Sequence, residues 1–138
     1  MVNRENLKIL SDGLLGLTKP IVSTENVKFD MSEYCDMNSD HTISCGTAGC
    51  AIGWGPFFGI KKYMAESFFQ YQQRCFTKDE SGSIFDYLFS GHWHYVDNTK
   101  RGAGLRIKYY LEHGLPEDWK EQMLGQVLLT YLNNNDDE

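Results

Sequence analysis

The residues best able to do chemistry in this chain are its cysteines and histidines, and five of the eight fall in two short stretches. One is His41-Thr42-Ile43-Ser44-Cys45-Gly46-Thr47-Ala48-Gly49-Cys50-Ala51-Ile52-Gly53-Trp54; the other is Gly91-His92-Trp93-His94-Tyr95-Val96-Asp97. A cysteine in the first turn of a helix has its thiolate stabilised by the helix dipole and by nearby N–H groups. On that reading Cys50 is a nucleophile, His92 or His94 a general base and Asp97 the carboxylate that orients it. The same residues allow a second chemistry, because His41, Cys45 and Cys50 lie near the spacing of zinc ligands and His92 or His94 would complete a set of four. Against zinc, no Cys-x-x-Cys pair is present, and a chain this rich in aromatics needs no metal to hold its core. No metal or cofactor is therefore assigned. The plainer alternative makes Cys45 and Cys50 small buried apolar residues, with His92 and His94 flanking Trp93 at a surface turn. His113, beside Gly114, suits a helix C-terminus.

Small residues dominate the first stretch, although glycine inside a helix costs about 1 kcal/mol relative to alanine. Thr47 can cap a helix running through Trp54, which Pro56 helps to end. Gly49 and Gly53, four apart, would then share one face of it, where another backbone or a ligand could come close. The start of such a helix offers free N–H groups to an anion or a planar ligand. The candidate binding residues are Gly46, Thr47, Gly49, Gly53 and Trp54, with His92, Trp93 and His94 from the second stretch.

The motif Cys45-Gly46-Thr47, Cys50, Gly53-Trp54 resembles a Cys-Gly-Thr-x-x-Cys-x-x-Gly-Trp core of small uncharacterised proteins from bacteriophages and their bacterial hosts. Such proteins tend to carry a Phe-x-Met element before the core, matched by Phe29-Asp30-Met31. After it come a Leu-Phe pair and a Thr-initiated helix, matched by Leu88-Phe89 and Thr99. The likeness spans roughly two thirds of the chain, and only the Cys-Gly-Thr core is specific. It implies a setting and no reaction: an accessory protein that binds a host or defence component, or a small ligand, without catalysis.

Charge narrows the partners. A formal net charge of −6 over 138 residues argues against general nucleic-acid binding, which needs a concentration of Lys and Arg. The densest basic cluster, Lys100, Arg101, Arg106 and Lys108, reads as the solvated face of a helix. Carboxylates are not paired for acid–base work, no phosphate-binding glycine loop is present, and the aromatics between Phe57 and Tyr71 suit a core better than a platform for bases. No apolar run is long enough to span a membrane, and the first residues lack the layout of a secretory signal. The expected location is the cytoplasm of the bacterial host cell, where thiols stay reduced.

Positioning these residues falls to short helices. Leu7, Leu10, Leu14 and Leu17 recur at steps of three and four, on a first helix that Asn3 can cap and Pro20 must follow. Met64, Phe68, Tyr71 and Cys75 predict a helix from about 61 to 76. Ile84 to Phe89 fit a short helix stopped by Gly91. Thr99 or Asn98 can cap the next, which turns Ala103, Ile107, Tyr110 and Leu111 inward and ends at Gly114. Pro116 opens a last helix bearing Trp119, Met123, Val127 and Tyr131. The expectation is one mainly α domain over residues 1–132, an orthogonal bundle of five or six short helices, followed by a flexible acidic tail at 133–138. The region 21–44 leaves room for a small β element.

Overall fold

Asn3 opens the first helix as its composition demands: its side-chain oxygen accepts the backbone N–H of Asn6 at 3.0 Å, and α1 runs Arg4–Leu14. The computed structural model describes residues 2–21, 28–31, 48–49, 51–77 and 82–124. Within them the order is α1, strand β1 (Lys28–Phe29), strand β2 (Ala48–Gly49), a first 3-10 helix (Gly55–Phe58), α2 (Phe68–Cys75), α3 (Gly82–Phe89), a second 3-10 helix (Gly91–Tyr95) and α4 (Lys100–His113). Residues 119–124 are again helical. The fold is mainly helical, as the sequence predicts. Among the described residues no helix is long and apolar enough to cross a membrane. Val127, Tyr131 and the 133–138 tail lie outside the described residues.

The frame is the contact of α1 with α4, the most extensive between helices among the described residues. Leu7, Leu10 and Leu14 of α1 and Ala103 and Ile107 of α4 are buried there, each large side chain contributing about 1.5–3 kcal/mol. Gly104 makes the approach possible, since a Cβ at 104 would stand 2.7 Å from Leu15 Cγ. Ser11 uses it too, its hydroxyl donating to the Gly104 carbonyl at 2.9 Å. Leu17 is not on the stripe. The chain leaves the helix at Leu15 and turns at Gly16, with φ 78°, so Leu17 is 70% exposed.

Two elements differ from the sequence expectation. The middle helix starts at Phe68, not near 61, because Ser67 caps it reciprocally with Gln70. The stretch before it is held as a turn by Arg74, which bonds Glu66 and the Lys61 carbonyl, so Met64 points to solvent while Tyr71 and Cys75 are buried. The second difference concerns the glycine-rich segment. Ala48 and Gly49 pair in parallel with Lys28 and Phe29, and residues 51–54 form a turn leading into the 3-10 helix Gly55–Phe58. With 48–49 in a strand and 51–54 in a turn, Gly49 and Gly53 do not share a helix face; the main chain at 48–49 is committed to a strand partner instead. One half of this β pairing falls in the 21–44 region, where room for it was expected.

The later helices follow the sequence closely. Thr99 caps α4 by accepting the Gly102 N–H at 2.9 Å, and Gly114, with φ 81°, ends it. Between α3 and α4, Ser90 accepts the His92 N–H, and the chain turns through Gly91–Tyr95.

Candidate functional site

The Phe29-Asp30-Met31 element is what joins the two stretches singled out in the sequence. Phe29, in β1, packs its ring 6.1 Å from that of Trp54, centroid to centroid, while its backbone pairs with Gly49. Asp30 Oδ1 lies 2.9 Å from His94 Nδ1. The Met31 N–H donates to Asn98 Oδ1 at 2.7 Å. That bond fixes the Asn98 amide, whose Nδ2 therefore faces Asp30 Oδ1 at 3.4 Å and His94 Nδ1 at 3.1 Å. Residues 28–31 thus tie Gly49 and Trp54 to the 92–98 turn.

Trp54 is the hub of this face. It is almost wholly buried, with Phe57 edge-on at 5.1 Å and Phe58 at 6.4 Å. Phe58 in turn covers α1 at Gly13, where any Cβ would strike its ring. From the other direction Lys100, the first residue of α4, sets its ammonium 4.8 Å from the Trp54 ring centre. The indole Nε1 has no hydrogen-bond partner among the described residues, although a buried indole N–H ordinarily finds one.

The sequence-predicted residues divide as follows. Gly49 and Trp54 are linked through Phe29, and His94 through the neighbouring Asp30. His92 and His94 are exposed in the 3-10 helix Gly91–Tyr95. Trp93, between them, is buried, and its indole N–H donates to the Asp86 carbonyl at 3.2 Å. It is a core residue of the turn and not a surface contact. Asp97 does not orient a histidine: the carboxylate beside His94 is that of Asp30, while Asp97 accepts the Thr99 hydroxyl at 2.5 Å. His41, Cys45, Gly46, Thr47 and Cys50 lie outside the described residues. Among the described residues no three His, Cys, Asp or Glu side chains gather as metal ligands. Cys75 is buried in the core, and burial pushes its thiol above the usual range, which favours the protonated form.

Sequence reasoning missed Asp30, Asn98, Lys100 and Arg106. The first three meet their partners across long separations, which no local pattern reports. Arg106 carried a signal: it sits three residues after Ala103 and four before Tyr110, on the stripe that α4 turns inward. The basic cluster accordingly breaks up, with Lys100, Arg101 and Lys108 exposed and Arg106 buried.

Compared with protein-family models, with curated proteins and with solved structures, the chain matches none. Its function must be read from the site itself.

Proposed function

We propose that this chain acts without catalysis, as a phage-type accessory protein that binds a host or defence protein, or a small ligand, in the cytoplasm of a bacterial host. The observation that carries the reading is the joining of three separate parts of the chain, 28–31, 51–54 and 92–100, by Phe29–Trp54, Asp30–His94, Met31–Asn98 and Lys100–Trp54 contacts. Polar contacts that assemble a surface from distant pieces of chain add conformational definition where packing alone would serve stability better. Tyr95, 64% exposed and flanked in sequence by the exposed His94 and Lys100, supplies an aromatic group of the kind favoured in interfaces. The phage setting comes from the Cys-Gly-Thr resemblance, and the net charge of −6 favours a partner other than nucleic acid.

The test places a photo-crosslinking amino acid at position 94, 95 or 100, and as a control at position 8 on the outer side of α1, in protein expressed in the native host. One molecule captured from all three face positions and not from position 8 supports the reading. Capture from position 8 alone, or none from the face, rejects it.

One observation favours a second reading, a cysteine-dependent hydrolase or transferase. A histidine whose Nδ1 meets a carboxylate has the arrangement of a general base held in place, and His94 with Asp30 has it. Cys50 would be the nucleophile. Labelling with iodoacetamide across pH discriminates: Cys50 reacting well below the usual thiol pKa of about 8.5, and losing that reactivity in His94→Ala, would establish a thiol enzyme. Uniform slow labelling would leave the binding reading.

A further inference from the structure

Three apolar side chains stand in solvent around one hollow. Ile21 and Met64 are each 70% exposed and Tyr63 53%, and all three line a depression of about 660 Å³ together with Pro56, Lys61 and Lys62. Apolar residues exposed singly are ordinary, whereas several around one concavity of this size mark a place where something binds. The walls are set by the fold. On one side the Ile21 N–H donates to the Phe57 carbonyl at 2.7 Å, tying Ile21 to the first 3-10 helix. On the other, the Tyr63 N–H donates to Glu66 Oε1 at 2.9 Å, and Arg74 reaches the Lys61 carbonyl at 2.7 Å while stacking on the Tyr63 ring at 4.0 Å. Between them the buried Tyr71 hydroxyl bonds the Ile60 carbonyl. Both sides of the hollow are therefore positioned without a ligand, which lowers the entropy lost on binding one.

The charge beside this hollow runs against that of the molecule. From Gly59 to Arg74 the chain carries three cations, Lys61, Lys62 and Arg74, and a single acid, Glu66. Arg74 bonds both Glu66 oxygens, at 2.5 and 2.8 Å, and Lys62 acts on the same carboxylate. The stretch thus keeps an excess of positive charge in a chain whose net charge is −6. Lys61 is exposed and forms no ion pair among the described residues. A lysine beside apolar surface lays its methylene stem along that surface and keeps its ammonium in water, so Lys61 and Lys62 extend the apolar wall and put cations at its mouth. A polyanion would gain little from such walls, and an amphipathic cation would be repelled at the mouth. A molecule with an apolar body and one anionic end answers both features.

We propose that this hollow binds an amphipathic carboxylate of the free fatty-acid type, its hydrocarbon body against Ile21, Pro56, Tyr63 and Met64 and its carboxylate at the Lys61 ammonium. The inference stands on the hollow and its charge and is independent of the partner face around Trp54.

The experiment uses the full chain at neutral pH, with ¹³C in its methionine and isoleucine methyl groups, and titrates three probes below their micelle-forming concentrations. These are decanoate, decylammonium (a like chain of opposite charge) and acetate (the charge without the body). Decanoate should saturate at one per chain in the micromolar to millimolar range, shifting the Met64 and Ile21 methyl signals and leaving that of the buried Met123 in place. Decylammonium should bind about tenfold more weakly, although the net charge attracts it, and acetate should show no binding. Met64→Asp, at an exposed position that the core does not use, should weaken decanoate by about tenfold or more, and Lys61→Glu by about tenfold. Lys120→Glu makes the same change in net charge at an exposed position outside the hollow and should leave the affinity within about twofold. No saturable decanoate binding, decylammonium binding as tightly, or unchanged affinity in a folded Met64→Asp variant would each overturn the proposal. So would equal losses in Lys61→Glu and Lys120→Glu, because net charge alone would then account for the preference.

Discussion

Arg74 and Arg106 occupy two corners of the molecule with the same local design and opposite outcomes. Each guanidinium stacks on an aromatic ring at 4.0 Å. At the Arg74 corner the chain supplies its own carboxylate: Glu66 takes the Nε–Nη2 edge, Tyr63 donates its N–H to the same carboxylate at 2.9 Å, and the Lys61 carbonyl takes a further bond from Nη2. That cluster stands partly in solvent and folds the turn before α2. At the Arg106 corner the charge is deeper and the edge has no acceptor among the described residues. Its charge is compensated through the face of the Trp93 ring and the Asp97 carboxylate rather than by hydrogen bonds along that edge. The difference separates an ion pair that shapes the turn before α2 from a cation held against an aromatic ring within the core.

The largest expected effect comes from loosening the frame that holds the deeper corner. Leu10, fully buried between α1 and α4, should cost about 2–5 kcal/mol when replaced by alanine, read as a lower midpoint in urea unfolding with unchanged slope. Gly104→Ala should cost about 1–3 kcal/mol by the same measurement, because its new methyl group meets Leu15 at 2.7 Å in a contact that cannot open without parting the two helices. If Gly104→Ala instead proved neutral, α4 would be free to shift on α1, and the buried placement of Arg106 would lose its support.

The Arg74 corner makes a smaller and pH-dependent prediction. The Arg74 side chain, through its hydrogen bonds, holds the Glu66 carboxyl down at about 2, against an ordinary value of 4.5. A depressed folded-state pKa stabilises the native form above the unfolded value and loses that contribution as pH falls through the folded one. The contribution should therefore be present above about pH 4.5 and disappear between there and about pH 2, with Glu66→Gln flattening that part of the stability curve. Because the pair stands partly in solvent, the effect should be no more than about 1 kcal/mol and should shrink in salt. An unchanged curve in Glu66→Gln would mean that the pair is not formed in solution, and the internal comparison would fail.

What the sequence made legible was whatever depends on neighbours within a turn or two. The caps at Asn3 and Thr99, the stop at Gly114 and the buried Leu7, Leu10, Ala103 and Ile107 are all local signals, and the structure bears them out. The start of α2 was misjudged because Met64 fits the helical period, whereas the Ser67–Gln70 cap overrides it. The glycine-rich segment suggests a helix because nothing near it announces a strand; its partner, Lys28–Phe29, lies twenty residues away. The candidate face was half legible: Trp54 and His94 stood out by type, but Asp30, Asn98 and Lys100 matter through contacts made only on folding. Arg106 was hidden by its own charge, since a cation at an inward position is easily assigned to the solvated side.

The smallest expected effect concerns the other unpartnered polar atom, Trp54 Nε1. Trp54→Phe removes that donor and keeps an aromatic ring among Phe29, Phe57 and Phe58 and beneath Lys100. The smaller ring loses buried area, while removal of an unsatisfied buried N–H regains about 1–3 kcal/mol, so the two should nearly cancel and stability should change by less than about 1 kcal/mol. Most replacements of a buried tryptophan are far more damaging, which makes near-neutrality here informative. If the variant folds normally but no longer yields the photo-crosslinked partner, the N–H belongs to the binding face. A large loss of stability would instead show that the indole N–H is paired in the folded chain, and Trp54 would join Arg74 among the groups that the fold satisfies by itself.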